Sequence, residues 1–211
     1  MLDSARYVST AGIRNFCYHC RFKPDIFRCM DFKDLVMQRE STRKYSDKPV
    51  EREKIEQIMD ACRMAPSACN AQPWRFVVAT DREVARELGR ASQGPLMTFN
   101  KFATQAPVVA AIIGEKPNWL SRVGGNVKDK DFYLMDIGIV AEHFCLQAAE
   151  LGLGSCMIGW FDEQRAKKIL NVPHDKRILL LITLGYPAKD KLRKKIRKPP
   201  GEVWSYDSYE P

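Results

Sequence analysis

A chain of 211 residues with 45% hydrophobic and 28% charged side chains can bury a full core as one domain, which argues against intrinsic disorder. The formal charge of +8 is unevenly spread: residues 189–198 carry +6 and residues 1–29 carry +3, leaving the rest of the chain at −1. A near-neutral body with one dense basic patch fits a phosphate site or a solvated tail, and speaks against a broad nucleic-acid footprint.

Residues 1–29 contain no continuous apolar run of the signal-peptide kind. No later stretch approaches the roughly 18 uncharged apolar residues that a membrane span requires, so a cytoplasmic protein with no membrane partner is expected. The seven cysteines (17, 20, 29, 62, 69, 145 and 156) are odd in number, and several lie inside apolar patterns, which points to reduced buried thiols. Cys17-x-x-Cys20 could be half of a zinc site, but no second ligand pair follows at suitable spacing. No metal site is therefore assigned, and residues 1–29 read as a poorly ordered extension preceding a domain over 30–211.

Met30-Asp31-Phe32 reads as a natural start, with an acidic helix entrance and apolar spacing at Phe32, Leu35 and Val36. Arg39, Ser41 and Arg43 then alternate, so an extended chain would turn all three to one side, where they could converge on a phosphate. The same three residues would also fit an ordinary surface charge cluster. A helix is expected from about Glu51 to Ala65, with its core stripe at Ile55, Ile58, Met59 and Cys62.

The stretch Ala65-Pro66-Ser67-Ala68-Cys69-Asn70-Ala71-Gln72-Pro73-Trp74 is polar, bracketed by prolines, and followed by an apolar run. Pro66 ends the preceding helix and Pro73 should drive Gln72 toward an extended conformation. Ser67, Asn70 and Gln72 together offer the donors and acceptors needed to read the edge of a flat heteroatom-rich ring, and they would equally serve an Asx turn.

Arg75–Thr80 reads as a buried strand, Asp81–Ser92 as a charged surface helix, and Val108–Gly114 as an apolar strand. Around that strand, residues 93–130 carry Gly94-Pro95, Phe99, Phe102, Trp119 and Gly124-Gly125, a composition suited to a lid that sets substrate choice. Asp131–Leu151 is apolar nearly all round, so it must be the centre of a large core or shared with a second subunit. His143 within it reads as a rim or satisfied histidine.

Ser155–Ile158 forms a short strand opening at Gly159-Trp160, where a glycine lets a backbone N–H approach a ligand. A helix over Asp162–Leu170 precedes the most apolar strand, Ile178–Pro187, and this alternation implies a central sheet covered on both faces. The chain closes on Lys195-x-Arg197 within the basic run and on an aromatic segment with Trp204 and Tyr206, too aromatic for a free tail.

These pieces resemble the FMN-dependent nitroreductase family. The resemblance rests on R-x-S-x-R at Arg39–Arg43, followed by Tyr45, and on A-P-S-A-x-N-x-Q-P-W-x-F from Ala65. It continues with D-x-G at Asp136–Gly138, A-x-x-L-G-L-G-S from Ala148, I-G-W-F from Ile158, I-T-L-G-Y-P from Ile182, and K-x-R-K-P from Lys195. It implies an α+β fold with a central mixed sheet covered by helices on both faces, in an intertwined homodimer that binds FMN at its interface.

By position, Arg39, Ser41, Arg43, Lys195 and Arg197 would hold the flavin phosphate and pyrimidine side, with Arg43 able to serve the ring instead. Pro66, Ser67, Asn70 and Gln72 would line the isoalloxazine, and Gly159 and Trp160 its N5 and O4 edge. The implied activity is ping-pong hydride transfer from NAD(P)H to an oxidised acceptor such as a nitroaromatic or quinone. Reductive dehalogenation and enoyl reduction are alternatives within the family, and a non-enzymatic flavin carrier or redox sensor is an alternative outside catalysis. Neither G-x-G-x-x-G after a strand nor a P-loop is present, so the nicotinamide has no pocket of its own. No side chain is assigned as a catalytic acid or base.

Overall fold

The computed structural model describes residues 30–93, 100–115, 131–189 and 192–209. Cys17, Cys20 and Cys29 lie outside the described residues, as do Gly94, Pro95, Phe99, Trp119, Gly124 and Gly125 of the expected lid.

Four strands, β1 (Trp74–Ala79), β2 (Val108–Gly114), β3 (Gly154–Ile158) and β4 (Arg177–Gly185), form one sheet in the order β1-β2-β4-β3. All three pairings are antiparallel. The parallel element of the sheet is a single bridge between Ser41 and Ser155 on the outer edge of β3.

Strand alternation sorts the core into two layers. On one face, Ala110, Ile112, Ile182 and Leu184 pack against α2 (Arg52–Arg63) and α4 (Phe132–Glu150), through Ile58, Val140 and Phe144. On the other, Val109, Ala111, Ile113 and Leu181 pack against α3 (Arg82–Ala91) and α5 (Glu163–Leu170), through Leu88 and Ala166. Every α-helix but α2 starts at a capping aspartate, Asp31, Asp81, Asp131 or Asp162, while Glu51 before α2 makes no side-chain cap bond. Asp81 accepts from Glu83 and Val84 N–H, and Asp162 accepts from Arg165 N–H.

The short α1 (Phe32–Gln38) leads into the arm 39–45, which runs along β3. Gly154 permits this contact: a Cβ there would stand 2.4 Å from Thr42 Oγ1. Tyr45 then locks the arm to the sheet. Its hydroxyl donates to Thr42 O at 2.9 Å and lies 2.7 Å from Thr183 Oγ1, and burial pushes the phenol pKa well above its ordinary value.

The long α4 has two different faces. Val140, Ala141, Phe144 and Ala148 are buried, while Leu134, Met135 and Ile139 are 51%, 55% and 37% exposed. Of the two settings expected for this helix, a shared interface suits the second face, because a fully enclosed core helix would leave none of these residues in water. The closing aromatic segment is also exposed at Val203, Trp204, Tyr206 and Tyr209. No helix among the described residues is long and apolar enough to cross a membrane.

Candidate functional site

The arm and the basic run meet. Lys195 Nζ donates to Arg39 O, Arg193 donates through its side chain to Ser41 O, and Arg193 N–H donates to Glu40 Oε2 at 3.1 Å. Arg39 approaches Glu142 on α4 at 3.5 Å, an ion pair too loose to be a hydrogen bond, and its Nε is buried without a hydrogen-bond partner. The Lys195 ammonium is held below its usual pKa, first by burial and then by the charges of Arg39 and Arg197, with Arg193 adding to them and Glu40 opposing. Four cations therefore crowd one place with too little negative charge to balance them. A phosphate dianion would supply that charge and the missing acceptor for Arg39.

Beside this cluster lies a cavity of about 370 Å³ lined by Arg39, Thr42, Cys145, Gly152 and Ser155. Gln38 Nε2 and Lys54 Nζ donate to Ala149 O and Leu151 O, satisfying carbonyls that the end of α4 leaves exposed.

Arg43 also contacts an aromatic ring that the sequence reading did not pair with it. Ser41 and Arg43 do face a common neighbour, since both act on the Cys156 thiol, while Thr42 between them is turned against Gly154. The Arg43 guanidinium lies 5.9 Å from the centre of the Phe102 ring and close enough to Cys156 to act on its thiol, which Arg193 of the cluster also reaches. Ser41 stays with the arm, and Arg197, exposed, donates to Ile196 O at 2.7 Å.

The 67–72 loop is built differently. Cys69, Asn70 and Gln72 all have positive φ, at 52°, 49° and 45°. Gln72 is therefore not extended. A following proline disfavours the right-handed helical region, but the left-handed region stays open where hydrogen bonds select it. Gln72 N–H donates to Ser67 Oγ at 2.9 Å, and Gln72 Nε2 donates to Asn70 Oδ1 at 3.0 Å and to Asn70 O at 3.2 Å. Each left-handed non-glycine residue costs roughly 1 kcal/mol, so these bonds offset a conformation the backbone would otherwise leave. Pro66, Asn70 and Gln72 are exposed and Ser67 half-buried, which presents the loop to whatever binds there.

At the end of β3, Gly159 is exposed and a Cβ on it would meet nothing within 4 Å. Trp160 is 60% exposed, with its carbonyl accepting from Asn100 Nδ2 at 3.2 Å. His143 is a rim residue whose Nδ1 lies 2.9 Å from Ile139 O. Phe102 is buried packing.

Within one chain these groups do not form a single pocket. The loop precedes β1, at one edge of the sheet, and the arm lies on β3, at the other, three strand spacings or about 14 Å away. Along α4 the loop is tied at Asp136, Arg39 of the arm pairs with Glu142 six residues later, or about 9 Å of helix, and the cavity beside the arm is lined by Ala149 further along.

The nitroreductase family's sequence pattern matches residues 36–186, most of the chain. The chain belongs to the nitroreductase family. A protein of Archaeoglobus fulgidus, provisionally named NADH dehydrogenase/NAD(P)H nitroreductase, is 31% identical over 161 residues, covering 74% of this chain and 86% of its own. The solved structure of an FMN-dependent nitroreductase from Clostridium difficile R20291 superposes with a TM-score of 0.67 at 26% identity, over 83% of this chain and 98% of that one. An iodotyrosine deiodinase of Thermotoga neapolitana is 23% identical over 178 residues, covering 75% of this chain and 89% of its own. The family and these names place this nitroreductase-family chain among the oxidoreductases.

Three residues of the site escape a reading by sequence alone. Arg193, Glu142 and Asp136 act on the arm or the loop across 152, 103 and 68 positions of chain. Two had a signal: Arg193 stands two residues before Lys195 in the same alternating pattern, and Asp136 opens the D-x-G motif, which gave no role for its side chain.

Proposed function

We propose that this nitroreductase-family chain is an FMN-dependent NAD(P)H oxidoreductase acting as a homodimer on small oxidised acceptors such as nitroaromatics or quinones. The observation that carries this reading is the cation cluster of Arg39, Arg193, Lys195 and Arg197, only partly balanced by Glu40 and Glu142, with Arg39 Nε buried and lacking a hydrogen-bond partner, which suits a flavin phosphate. FMN, when bound, supplies the hydride acceptance and return at N5 that couple a nicotinamide donor to the acceptor in ping-pong order.

This chain's residues bind and orient. Arg39, Ser41, Lys195 and Arg197 take the phosphate side, while Arg43, held over Phe102, is directed to the ring side. Ser67 and Asn70, on a loop whose shape is already fixed, offer polar atoms to the ring edge. Gly159 leaves its backbone N–H open to close approach, and Trp160 supplies an exposed indole beside it. A cation at the pyrimidine side would favour negative charge accumulating there during reduction.

The dimer rests on two features. The loop and the arm lie at opposite edges of one chain's sheet and the cavity beside the arm takes no residue from the loop, and α4 exposes an apolar stripe of Leu134, Met135 and Ile139. A two-fold partner covering that stripe would bring its own loop to this chain's arm.

Anaerobic reconstitution with FMN tests the reading: the protein should bind flavin stoichiometrically, oxidise one equivalent of NAD(P)H per flavin as that flavin is reduced, and turn over continuously only when an acceptor is added. Absence of flavin binding would defeat it, and binding without turnover would leave a flavin carrier. The deiodinase relative favours reductive dehalogenation as the second reading, so the acceptor screen should include a halogenated tyrosine.

A further inference from the structure

Asp136 takes no part in the reading above, although it is buried to 3% exposure in the second turn of α4. Its Oδ1 accepts from the backbone N–H of Ala68 at 3.0 Å, and its Oδ2 is buried with no hydrogen-bond partner. A carboxyl group buried with a spare acceptor is a costly choice for a position that asparagine could serve. The position near the start of α4 softens that cost, because the helix dipole favours negative charge there.

The partner of Asp136 matters more than its burial. Ala68 opens the turn that contains Cys69 and Asn70, both left-handed, and precedes left-handed Gln72. The bonds among Ser67, Asn70 and Gln72 give the loop its shape. The bond from Ala68 to Asp136 fixes that shape in place against α4.

We propose that Asp136 is a positioning residue for the flavin-reading loop, holding Ser67 and Asn70 where the ring edge meets them without touching the cofactor itself. This rests on the FMN reading, and it makes flavin affinity depend on a helix residue far from the phosphate cluster.

Two changes remove the bond from opposite ends. Asp136→Ala deletes the acceptor. Ala68→Pro deletes the donor, and proline is tolerated there because Ala68 is the first residue of its turn and Ser67, at φ −148° and ψ 157°, already has the conformation that a following proline demands. Each variant should weaken FMN binding by about tenfold, the factor expected from one lost hydrogen bond, while melting within a few degrees of the parent. The double variant should be no weaker than either single one, because both remove the same contact. Asp136→Asn keeps an acceptor for Ala68 N–H and should retain FMN affinity.

Unchanged FMN affinity in both folded single variants, additive losses in the double, or an asparagine variant as weak as the alanine one would overturn the proposal. Amide hydrogen exchange at Cys69 and Asn70 in the flavin-free protein reads the same contact without cofactor, and should quicken in Asp136→Ala and Ala68→Pro but not in Asp136→Asn. Failure of the parent to bind FMN would strike the flavin reading, and the exchange result would then decide the positioning role alone.

Discussion

The two halves of the site solve opposite problems. At the β3 edge, Arg39, Arg193, Lys195 and Arg197 are gathered with too little opposing charge, so that region is electrostatically incomplete until an anion arrives. At the β1 edge, the 67–72 loop satisfies its own polar groups, but only in a backbone conformation held against its preference. Under the proposed reading, one half would recognise by charge and the other by shape. The first should respond to salt and the second should not.

The largest effect is expected where the halves are joined. If they come from different protomers, placing a charge in the α4 stripe, as in Met135→Glu, should abolish dimerisation and with it essentially all flavin binding. Light scattering coupled to size exclusion, run beside a flavin titration, would show both losses together. A monomer that still binds FMN tightly would break the comparison at its root.

Next comes the contrast between charge and shape. Arg39→Ala should weaken FMN by about 10- to 100-fold, as expected for lost charge-assisted bonds, and should flatten the salt dependence of binding. Ser67→Ala should cost less affinity and leave the salt dependence intact. Isothermal titration at two ionic strengths separates the two outcomes.

Tyr45→Phe tests what holds the charged half in place. The hydroxyl serves both Thr42 O and Thr183 Oγ1, so its loss should lower stability by about 1–3 kcal/mol in urea unfolding. Flavin affinity should fall too, while the loop half, read by amide exchange at Asn70, should be unaffected.

The smallest effect concerns Glu51, bonded to the Tyr186 hydroxyl at 2.6 Å. That bond, with help from Lys48, holds the carboxyl pKa at about 2, below the ordinary 4.5. The unfolded chain therefore binds the proton more readily, so the contribution is present above about pH 4.5 and is lost as pH falls toward 2. The side chain is 43% exposed, and solvent screens the effect. Glu51→Gln should melt slightly lower at neutral pH and converge with the parent in acid.

Much of this architecture was legible before any coordinates. The arm and the loop carry dense local patterns, and the strands and helices follow their periodicities to within a residue or two at most ends. Gln72 shows what local rules miss: the rule about the residue before proline excludes one region of backbone space, and the Ser67 and Asn70 side chains then chose the left-handed one. Arg193 shows a second limit: it stands two residues before Lys195, but nothing in the local pattern says that it donates to Ser41 across 152 positions of chain. Asp136 and Glu142 show a third. Both sit in an apolar helix pattern where a lone acid has no local partner, and only the folded chain supplies Ala68 and Arg39.

Gly154 carries a consequence for how this protein can vary. A single methyl group there would displace Thr42, and Thr42 lies between Ser41, which is bridged to Ser155, and Tyr45, which is bonded to Thr183. The sheet edge and the phosphate arm thus move as one mechanical part, with the glycine as its bearing. Enlarging position 154 would re-aim Arg39 before it unfolded the sheet, so variation there is filtered by ligand affinity sooner than by folding.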